Sequence, residues 1–246
     1  MSVLVEACVD SVASAVAAER GGAGRLELCD NLGDGGTTPS AGMISAVKAA
    51  VQIPVFVIVR PRGGDFVYTD VEAGVMRLDV EAASMLGADG VVIGALTADR
   101  LVDAERTRAL MDAAAGLPVT FHRAFDHAKD LPQALEVLMS LGVSRVLTSG
   151  GAATALEGVS TIAALAKRAA GSIAIMAGGS LREENVQEVV HRTGVTEVHV
   201  RGSRVTAPQS RSNESVRLRK PMPADERAWE ETDERRVREF VRLANG

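Results

Sequence analysis

Apolar residues follow two alternating patterns along this chain, short continuous runs and longer amphipathic stretches. Four of the short apolar runs follow a glycine and have similar sequences: GAGRLEL from Gly22, GADGVVI from Gly87, GVSRVLT from Gly142 and GVTEVHV from Gly194. Three further runs, IPVFVIV, LPVTFH and GSIAIM, lie between them, and VLVEAC stands near the start. Short apolar runs bounded by turn residues are typical of buried strands, so the pattern predicts eight strands.

Helical periodicity fills the intervals between these strands. The predicted helices span residues 10–21, 39–51, 69–86, 103–114, 130–139, 157–169 and 182–192, with a last helix within 223–244. Thr38 before Pro39, Asp70 and Asp130 are candidate capping residues. Eight alternating strand–helix units predict a TIM (β/α)8 barrel, an α/β fold. A doubly wound open sheet is the alternative. It is less favoured, because a repeat of two strand–helix units recurs four times at fairly even intervals, as a closed ring would suggest.

One domain is expected to cover residues 1–246, because no linker or charge block divides the first 200 residues. The segment 204–222 is polar and basic, with Arg211, Arg217, Arg219 and Lys220. It predicts a long surface loop before the last helix.

Alternation within the strands separates an aliphatic face from a mixed one. In the third strand Val55, Val57 and Val59 share one face, while Arg60 ends the other. The aliphatic face is expected to meet the helices, so the mixed face lines the lumen, with its polar members at the C-terminal mouth where TIM barrels build their sites. The mixed face and the loops beyond it supply the candidate catalytic residues Glu6, Glu27, Arg60, His122, Arg123, Asp126 and His199.

These residue types predict acid–base chemistry on an anion. Glu6 and Glu27 can act as acid or base, and His122 can transfer protons near neutral pH. Turns after the seventh and eighth strands, together with a loop arginine, supply the candidate anion-binding residues Arg62, Gly178, Gly179, Gly202 and Ser203. An enzyme acting on a small phosphorylated or carboxylated metabolite is therefore one hypothesis. The alternatives are a structural ion-pair cluster and glycines that only make tight turns.

The two cysteines suggest a different chemistry. Cys8 and Cys29 end the first two strands on the same face, and adjacent strands lie about 4.8 Å apart. Thiolates are soft ligands that select Cu(I), although two buried reduced cysteines also serve as small apolar filler. The two residues alone therefore leave metal binding and apolar filling both open.

Charge and composition restrict the partners. The net charge of −5 disfavours a nucleic-acid-binding surface, and no apolar stretch approaches the roughly 20 residues that span a bilayer. The N-terminus carries Glu6 where an export signal would need an apolar run. We therefore expect a cytoplasmic protein that binds a metal ion or a small anionic metabolite, without nucleic-acid or membrane partners.

Six phrases together resemble one known family. In order they are VEACVDS, RLELCDNLGDGGTTPS, RPRGGDF, GADGVVIGAL, PVTFHRAFD and RVLTSGG, and they resemble the CutC copper homeostasis protein family over about residues 3–203. The resemblance implies a cytoplasmic TIM barrel that handles copper, binds Cu(I) at Cys8 and Cys29, and forms a homodimer or homotetramer. The chain departs from the family pattern after His199, where it reads Val200-Arg201-Gly202-Ser203-Arg204.

Overall fold

Eight parallel strands close into a barrel in the computed structural model, which describes residues 2–206 and 229–246. The strands are β1 (Leu4–Val9), β2 (Arg25–Leu28), β3 (Val55–Ile58), β4 (Gly90–Ile93), β5 (Val119–Phe121), β6 (Arg145–Thr148), β7 (Ala174–Gly178) and β8 (Glu197–Val200). Each strand pairs with the next in the chain, and β8 pairs with β1 through Val5 and Val198. The predicted TIM barrel is confirmed, and the open-sheet alternative is wrong.

Helices follow the strands around the outside of the barrel. They are α1 (Val12–Arg20), α2 (Ala41–Ala50), α3 (Asp70–Met85), α4 (Ala104–Ala113), α5 (Leu131–Leu141), α6 (Val159–Ala169), α7 (Val186–Thr193) and α8 (Glu234–Ala244). Within the two described ranges, no helix is both long enough and apolar enough to cross a membrane.

Helix starts differ slightly from the predicted ones. Asp130 caps α5 as predicted, with its side chain accepting a hydrogen bond from the third residue of the helix. Ser40, not Thr38, caps α2, because the Thr38 hydroxyl accepts from the backbone just beyond β3. Thr69, not Asp70, caps α3 through a reciprocal capping box. The predicted caps at Thr38 and Asp70 were therefore wrong by one or two residues.

The aliphatic strand faces form the layer between barrel and helices. Leu26, Val57 and Val91 are fully buried there, in one apolar cluster with Val47 of α2 and Val80 of α3. Burial of such side chains stabilises the fold by roughly 1.5–3 kcal/mol each. The opposite strand faces are thereby left to line the lumen.

A two-stranded antiparallel hairpin lies outside the barrel. It pairs β9 (Ser203–Thr206) with β10 (Trp229–Thr232). Residues 204–206, predicted as the start of a polar loop, are thus part of a strand, and the rest of that predicted loop lies outside the described residues. The hairpin leads into α8, whose Val237 and Phe240 are buried against the barrel.

Candidate functional site

Four charged side chains fill the lumen toward its N-terminal end, and we call them the lower layer: Glu6, Arg25, Arg145 and Glu197. Arg25 pairs with both Glu6 and Glu197, and Arg145 pairs with Glu197 through two nitrogens. Both guanidinium groups lie over the Phe56 ring, 5.1 and 5.4 Å from its centroid. Every charge of the lower layer thus has an opposite partner, as the ion-pair alternative expected.

Glu6 connects this layer to the residues above it. Its Oε1 lies 2.8 Å from Nδ1 of His199. Burial opposes ionisation, but the hydrogen bond from His199 and the charge of Arg25 outweigh it and lower the pKa of Glu6 to about 2. Glu6 is therefore a fixed carboxylate that orients His199, and the structure does not support the expected acid–base role for it.

A second group of side chains lies directly above, and we call it the upper layer: Cys8, Glu27, Cys29 and His199. The Cys8 and Cys29 sulfurs are 3.7 Å apart. Oε2 of Glu27 lies 3.4 Å from the Cys8 sulfur and 3.3 Å from the Cys29 sulfur. His199 Nε2 lies 3.7 Å from the same carboxylate oxygen. Both thiols are free and buried, so two sulfurs and one carboxylate oxygen lie close together, while His199 belongs to a neighbouring group with Glu6 and the same Glu27.

The thiols of the upper layer differ in acidity. The hydrogen bond between the two sulfurs lowers the pKa of Cys8 well below its usual range, and nearby His199 contributes to the same shift. That same hydrogen bond and burial raise the pKa of Cys29. The pKa values of the two thiols are thus shifted in opposite directions, and Cys8 is the one that is favoured to ionise.

The other two members of the upper layer also have shifted pKa values. Burial and the charge of Cys8 raise the pKa of Glu27 to about 8. Burial alone would lower the pKa of His199, but the charge of Glu27 and the hydrogen bonds with Cys8 and Glu6 raise it well above its usual value. An imidazolium beside a thiolate stabilises the negative sulfur by direct Coulomb attraction.

His122 stands just beyond β5 in an enclosed position. Its Nδ1 accepts a hydrogen bond from the Ala124 N–H at 3.1 Å, so the proton of the neutral ring lies on Nε2. Burial and the charge of Arg60 lower the pKa of His122 to about 3. Gly94 leaves the space for the ring, because a Cβ there would lie 2.3 Å from it. His122 is thus a neutral hydrogen-bond donor, and the expected proton transfer near neutral pH does not fit its environment.

Arg60 holds the loops after β2 and β3 at the mouth of the barrel by hydrogen bonds. Its Nη1 donates to the carbonyls of Asp34 at 2.7 Å and Gly36 at 2.8 Å, and its Nη2 donates to that of Gly64 at 3.1 Å. The side chain is buried, and no carboxylate of the described residues lies within 4.0 Å of its nitrogens.

Arg123 and Asp126 organise the loops after β5 and β6. Arg123 Nε donates to Asp126 at 2.8 Å, and its Nη2 donates to the Ser149 hydroxyl at 2.8 Å. Asp126 also accepts from the hydroxyl of Thr148 and from the N–H of Gly151. These contacts give Asp126 a positioning role between the two loops, and the expected catalytic role stays a prediction.

The predicted anion site is only partly assembled. Gly179 lines the mouth beside Arg123, and Gly178 ends β7 under His199, where a Cβ would lie 3.0 Å from the His199 Cβ. Gly202 instead packs against α8, and Ser203 begins β9 with its hydroxyl donating to Glu230.

Arg62 also does not line the cavity at the mouth, and Glu72 and Asp65 hold it in ion pairs. The expectation that Arg62, Gly202 and Ser203 line the same rim is therefore wrong. Their side chains or backbone are engaged by α3, α8 and the hairpin instead.

A cavity of about 960 Å³ opens from the upper layer to the C-terminal mouth. Its floor includes Cys8, Glu27 and His199, and its walls include Arg60 and His122. The sequence pattern did not indicate several of its loop residues, namely Leu32, Asp34, Phe66, Leu96 and Arg100. Loop positions have no strand or helix periodicity from which a facing direction could be predicted.

Together the fold and this site define a TIM barrel with a buried thiol pair at the base of its mouth. The chain belongs to the CutC family, whose model matches residues 3–204, as the sequence phrases predicted. A human relative named copper homeostasis protein cutC homolog is 49% identical over 243 residues, which cover 98% of this chain and 89% of the relative. A family protein CutC from Xanthomonas axonopodis pv. citri is 50% identical over 83% of this chain and 85% of its own length.

The same relationship appears among solved structures. A crystal structure titled as a copper homeostasis protein CutC from Streptococcus agalactiae has a TM-score of 0.77 and 37% identity. The match covers 80% of this chain and 97% of that one.

Proposed function

We propose that this protein serves copper homeostasis by binding Cu(I) between Cys8 and Cys29. The observation that carries the proposal is the 3.7 Å separation of two buried, reduced sulfurs at the base of an open cavity. Thiolates are soft ligands, and softness is what selects Cu(I) over harder ions. In this proposal the copper ion is cargo that enters through the mouth of the barrel.

The sulfur separation favours a bent arrangement with a further ligand. Metal–sulfur bonds of about 2.3 Å that meet at a tetrahedral angle span about 3.8 Å between sulfurs, whereas a linear pair would span about 4.6 Å. The measured 3.7 Å agrees with the bent case. Glu27, whose Oε2 lies within 3.4 Å of both sulfurs, is the nearest candidate for the further ligand.

The donor types of the upper layer suit a soft metal ion at this point. The Cys29 hydrogen bond, with His199 contributing, lowers the pKa of Cys8 well below its usual range, which favours its ionisation. Binding would displace the Cys29 proton, since only deprotonated sulfur is a strong ligand. The raised pKa of Cys29 therefore makes copper affinity increase with pH.

The names of the relatives support a role in copper homeostasis for this chain as well. Cu(I) binding in the cytoplasm stays a prediction, as does assembly into a homodimer or homotetramer. The expected absence of nucleic-acid and membrane partners stays a prediction too.

Anaerobic competition against a Cu(I) chelator tests the proposal. We expect about one Cu(I) per wild-type chain, and loss of that binding when Cys8 and Cys29 are both replaced by Ser, because hydroxyls are hard ligands. Glu27→Gln should weaken binding by about tenfold if Glu27 is the further ligand. The surface substitution Glu136→Gln serves as a control that leaves affinity unchanged. Equal affinity of the wild type and the double variant would refute the proposal.

A further inference from the structure

Helix α3 carries a stripe of large apolar side chains on its outer face. The stripe consists of Val71, Val75, Leu78 and Met85, which are 79%, 43%, 57% and 81% exposed. Their spacing places all four within about 40° of one line along the helix, because each residue of an α-helix turns the chain by about 100°. No other helix within residues 2–206 and 229–246 exposes a large apolar side chain to this degree.

The side of α3 that faces the core is apolar without the stripe. Met76, Val80 and Ala83 are buried in the apolar cluster between barrel and helices, about 120–180° around the helix from the stripe. A surface helix ordinarily has one apolar face toward the core and a polar face outward. The second apolar face, exposed over about 21 Å of helix length, therefore marks an interaction surface.

The stripe is symmetrical about Leu78. Val71 and Met85, its two most exposed members, lie seven residues before and seven residues after Leu78. A two-fold axis through Leu78 places Leu78 of two copies together, and Val71 of each copy against Met85 of the other. A second copy of this chain thus offers a surface that matches the stripe along its whole length.

The charges on one flank of the stripe favour an antiparallel pair of helices. Arg77 and Glu81 lie on this flank and pair with each other at the exposed surface of α3. An antiparallel two-fold pair brings the flank against the same flank of the second copy. Arg77 then lies about 3 Å along the helix axis from Glu81 of the second copy, so each copy contributes one cation and one anion to a set of opposite charges.

The other flank offers less to such a pair. Glu72 there is held in an ion pair by Arg62, and Asp79 is partly buried beside Thr38. A parallel pair of helices would bring the first flank against this one, where both carboxylates are engaged within the chain. Antiparallel helices also place the positive end of each helix dipole beside the negative end of the other.

One helix face makes a small interface. Helix α3 has 16 residues, so it is about 24 Å long and about 10–12 Å across. Complexes that bury less than about 1,200 Å² in total are mostly weak or transient. The expected assembly is therefore reversible, and its population rises with the concentration of the chain.

We propose that α3 forms the interface of a two-fold dimer, in which the stripe packs antiparallel against the same stripe of a second copy. This proposal goes beyond copper binding and is independent of it, because no member of the stripe lines the cavity above the two cysteines.

Sedimentation velocity of the reduced, metal-free full chain tests the proposal. At chain concentrations from about 1 to 200 µM, a range that covers weak dimers, the wild type should shift from the mass of a monomer to that of a dimer. Leu78→Lys should weaken the dimer by about a hundredfold or more, because it places two like charges together at the two-fold axis. Val205→Lys is the matched control, since Val205 is a 70% exposed apolar residue of β9, and its dimer affinity should be unchanged.

Cross-linking tests the antiparallel arrangement, and it does not depend on the folding of Leu78→Lys. In the Cys8→Ser, Cys29→Ser background, Leu78→Cys should form a disulfide between two chains when diamide accepts the two electrons and two protons of the thiols. Val71→Cys alone should not, because its two copies lie about 21 Å apart and a disulfide needs Cα atoms within about 7 Å. A mixture of Val71→Cys and Met85→Cys chains should cross-link.

Three results would overturn the proposal. The first is a wild type that stays monomeric over the whole concentration range, which would mean that a different protein or another part of the chain covers the stripe. The second is a Leu78→Lys variant that associates as tightly as the wild type. The third is a disulfide in Val71→Cys alone that forms as readily as the one in Leu78→Cys.

Discussion

The lower and upper layers lie one above the other in the lumen, but they differ in function. The lower layer is a closed set of ion pairs, whereas the upper layer is open to a cavity. In the lower layer Arg25 and Arg145 both pair with Glu197, and their guanidinium groups lie over the Phe56 ring. In the upper layer the sulfurs of Cys8 and Cys29 face each other at the base of an open cavity. The contrast shows that a polar lumen alone does not indicate a site. Ligand atoms that face an open cavity do.

Glu6 makes the two layers interdependent. It pairs with Arg25 below and lies 2.8 Å from Nδ1 of His199 above. The closed ion network therefore fixes the orientation of the His199 ring next to the Cys8 sulfur. A structural cluster and a binding site are in this protein two parts of one arrangement.

The largest expected effect comes from breaking the lower layer. Glu197→Gln leaves Arg25 and Arg145 with one carboxylate between them, and removing one partner of a buried ion pair costs about 3–5 kcal/mol. Urea unfolding measures the loss. Glu136→Gln, which breaks the exposed pair with Arg168, should cost less than about 1 kcal/mol. Equal losses in the two variants would contradict the buried network.

A smaller loss is expected from Gly94→Ala, which disturbs the upper part of the site. Its Cβ would lie 2.3 Å from the His122 ring and 2.9 Å from the Ala124 Cβ. Overpacking of this kind costs about 1–3 kcal/mol. Gly74→Ala is the matched control, since that helical glycine has nothing within 4 Å and the change should stabilise by about 0.5–1 kcal/mol. Thermal unfolding in which both variants shift in the same direction would refute the close packing around His122.

The pH dependence of stability tests the environment of His122 itself. Burial and Arg60 lower the pKa of His122 to about 3, below the value of about 6.5 in the unfolded chain. Between these values the unfolded chain binds more protons, so this group's contribution to stability is lost as pH falls from 6.5 toward 3. The slope is up to about 1.4 kcal/mol per pH unit, or about 2 kcal/mol between pH 6.5 and pH 5.

His122→Leu should lack that contribution, so the stability difference between wild type and variant should shrink as pH falls. Urea unfolding at pH 7.5, 6 and 5 measures it. A difference that stays constant across these pH values would show that His122 titrates normally in the folded protein.

Strand alternation predicted the lumen residues well, and the loops could not be predicted the same way. The period of two placed Glu6, Cys8, Glu27 and Cys29 on one face, where they lie. Gly202, by contrast, packs against α8. This contact joins distant parts of the fold, so the local sequence pattern does not predict it.

The partners of the charged side chains could not be predicted from the sequence either. Arg145 received no role, because its partner Glu197 lies 52 residues away along the chain. Arg60 donates hydrogen bonds to three backbone carbonyls, and the positions of these carbonyls depend on the paths of two loops. Residue type indicated a cationic mouth, while only the fold shows which of its cations are neutralised.

The central claim, that the upper layer holds Cu(I) through its thiol pair, is tested most directly by X-ray absorption at the copper edge of the copper-loaded protein. The account predicts two sulfur neighbours and one lighter oxygen or nitrogen neighbour, as the 3.7 Å sulfur separation and the position of Glu27 require. The lighter neighbour should disappear or change in Glu27→Gln, while the two sulfurs remain. A spectrum with only oxygen and nitrogen neighbours would contradict the account.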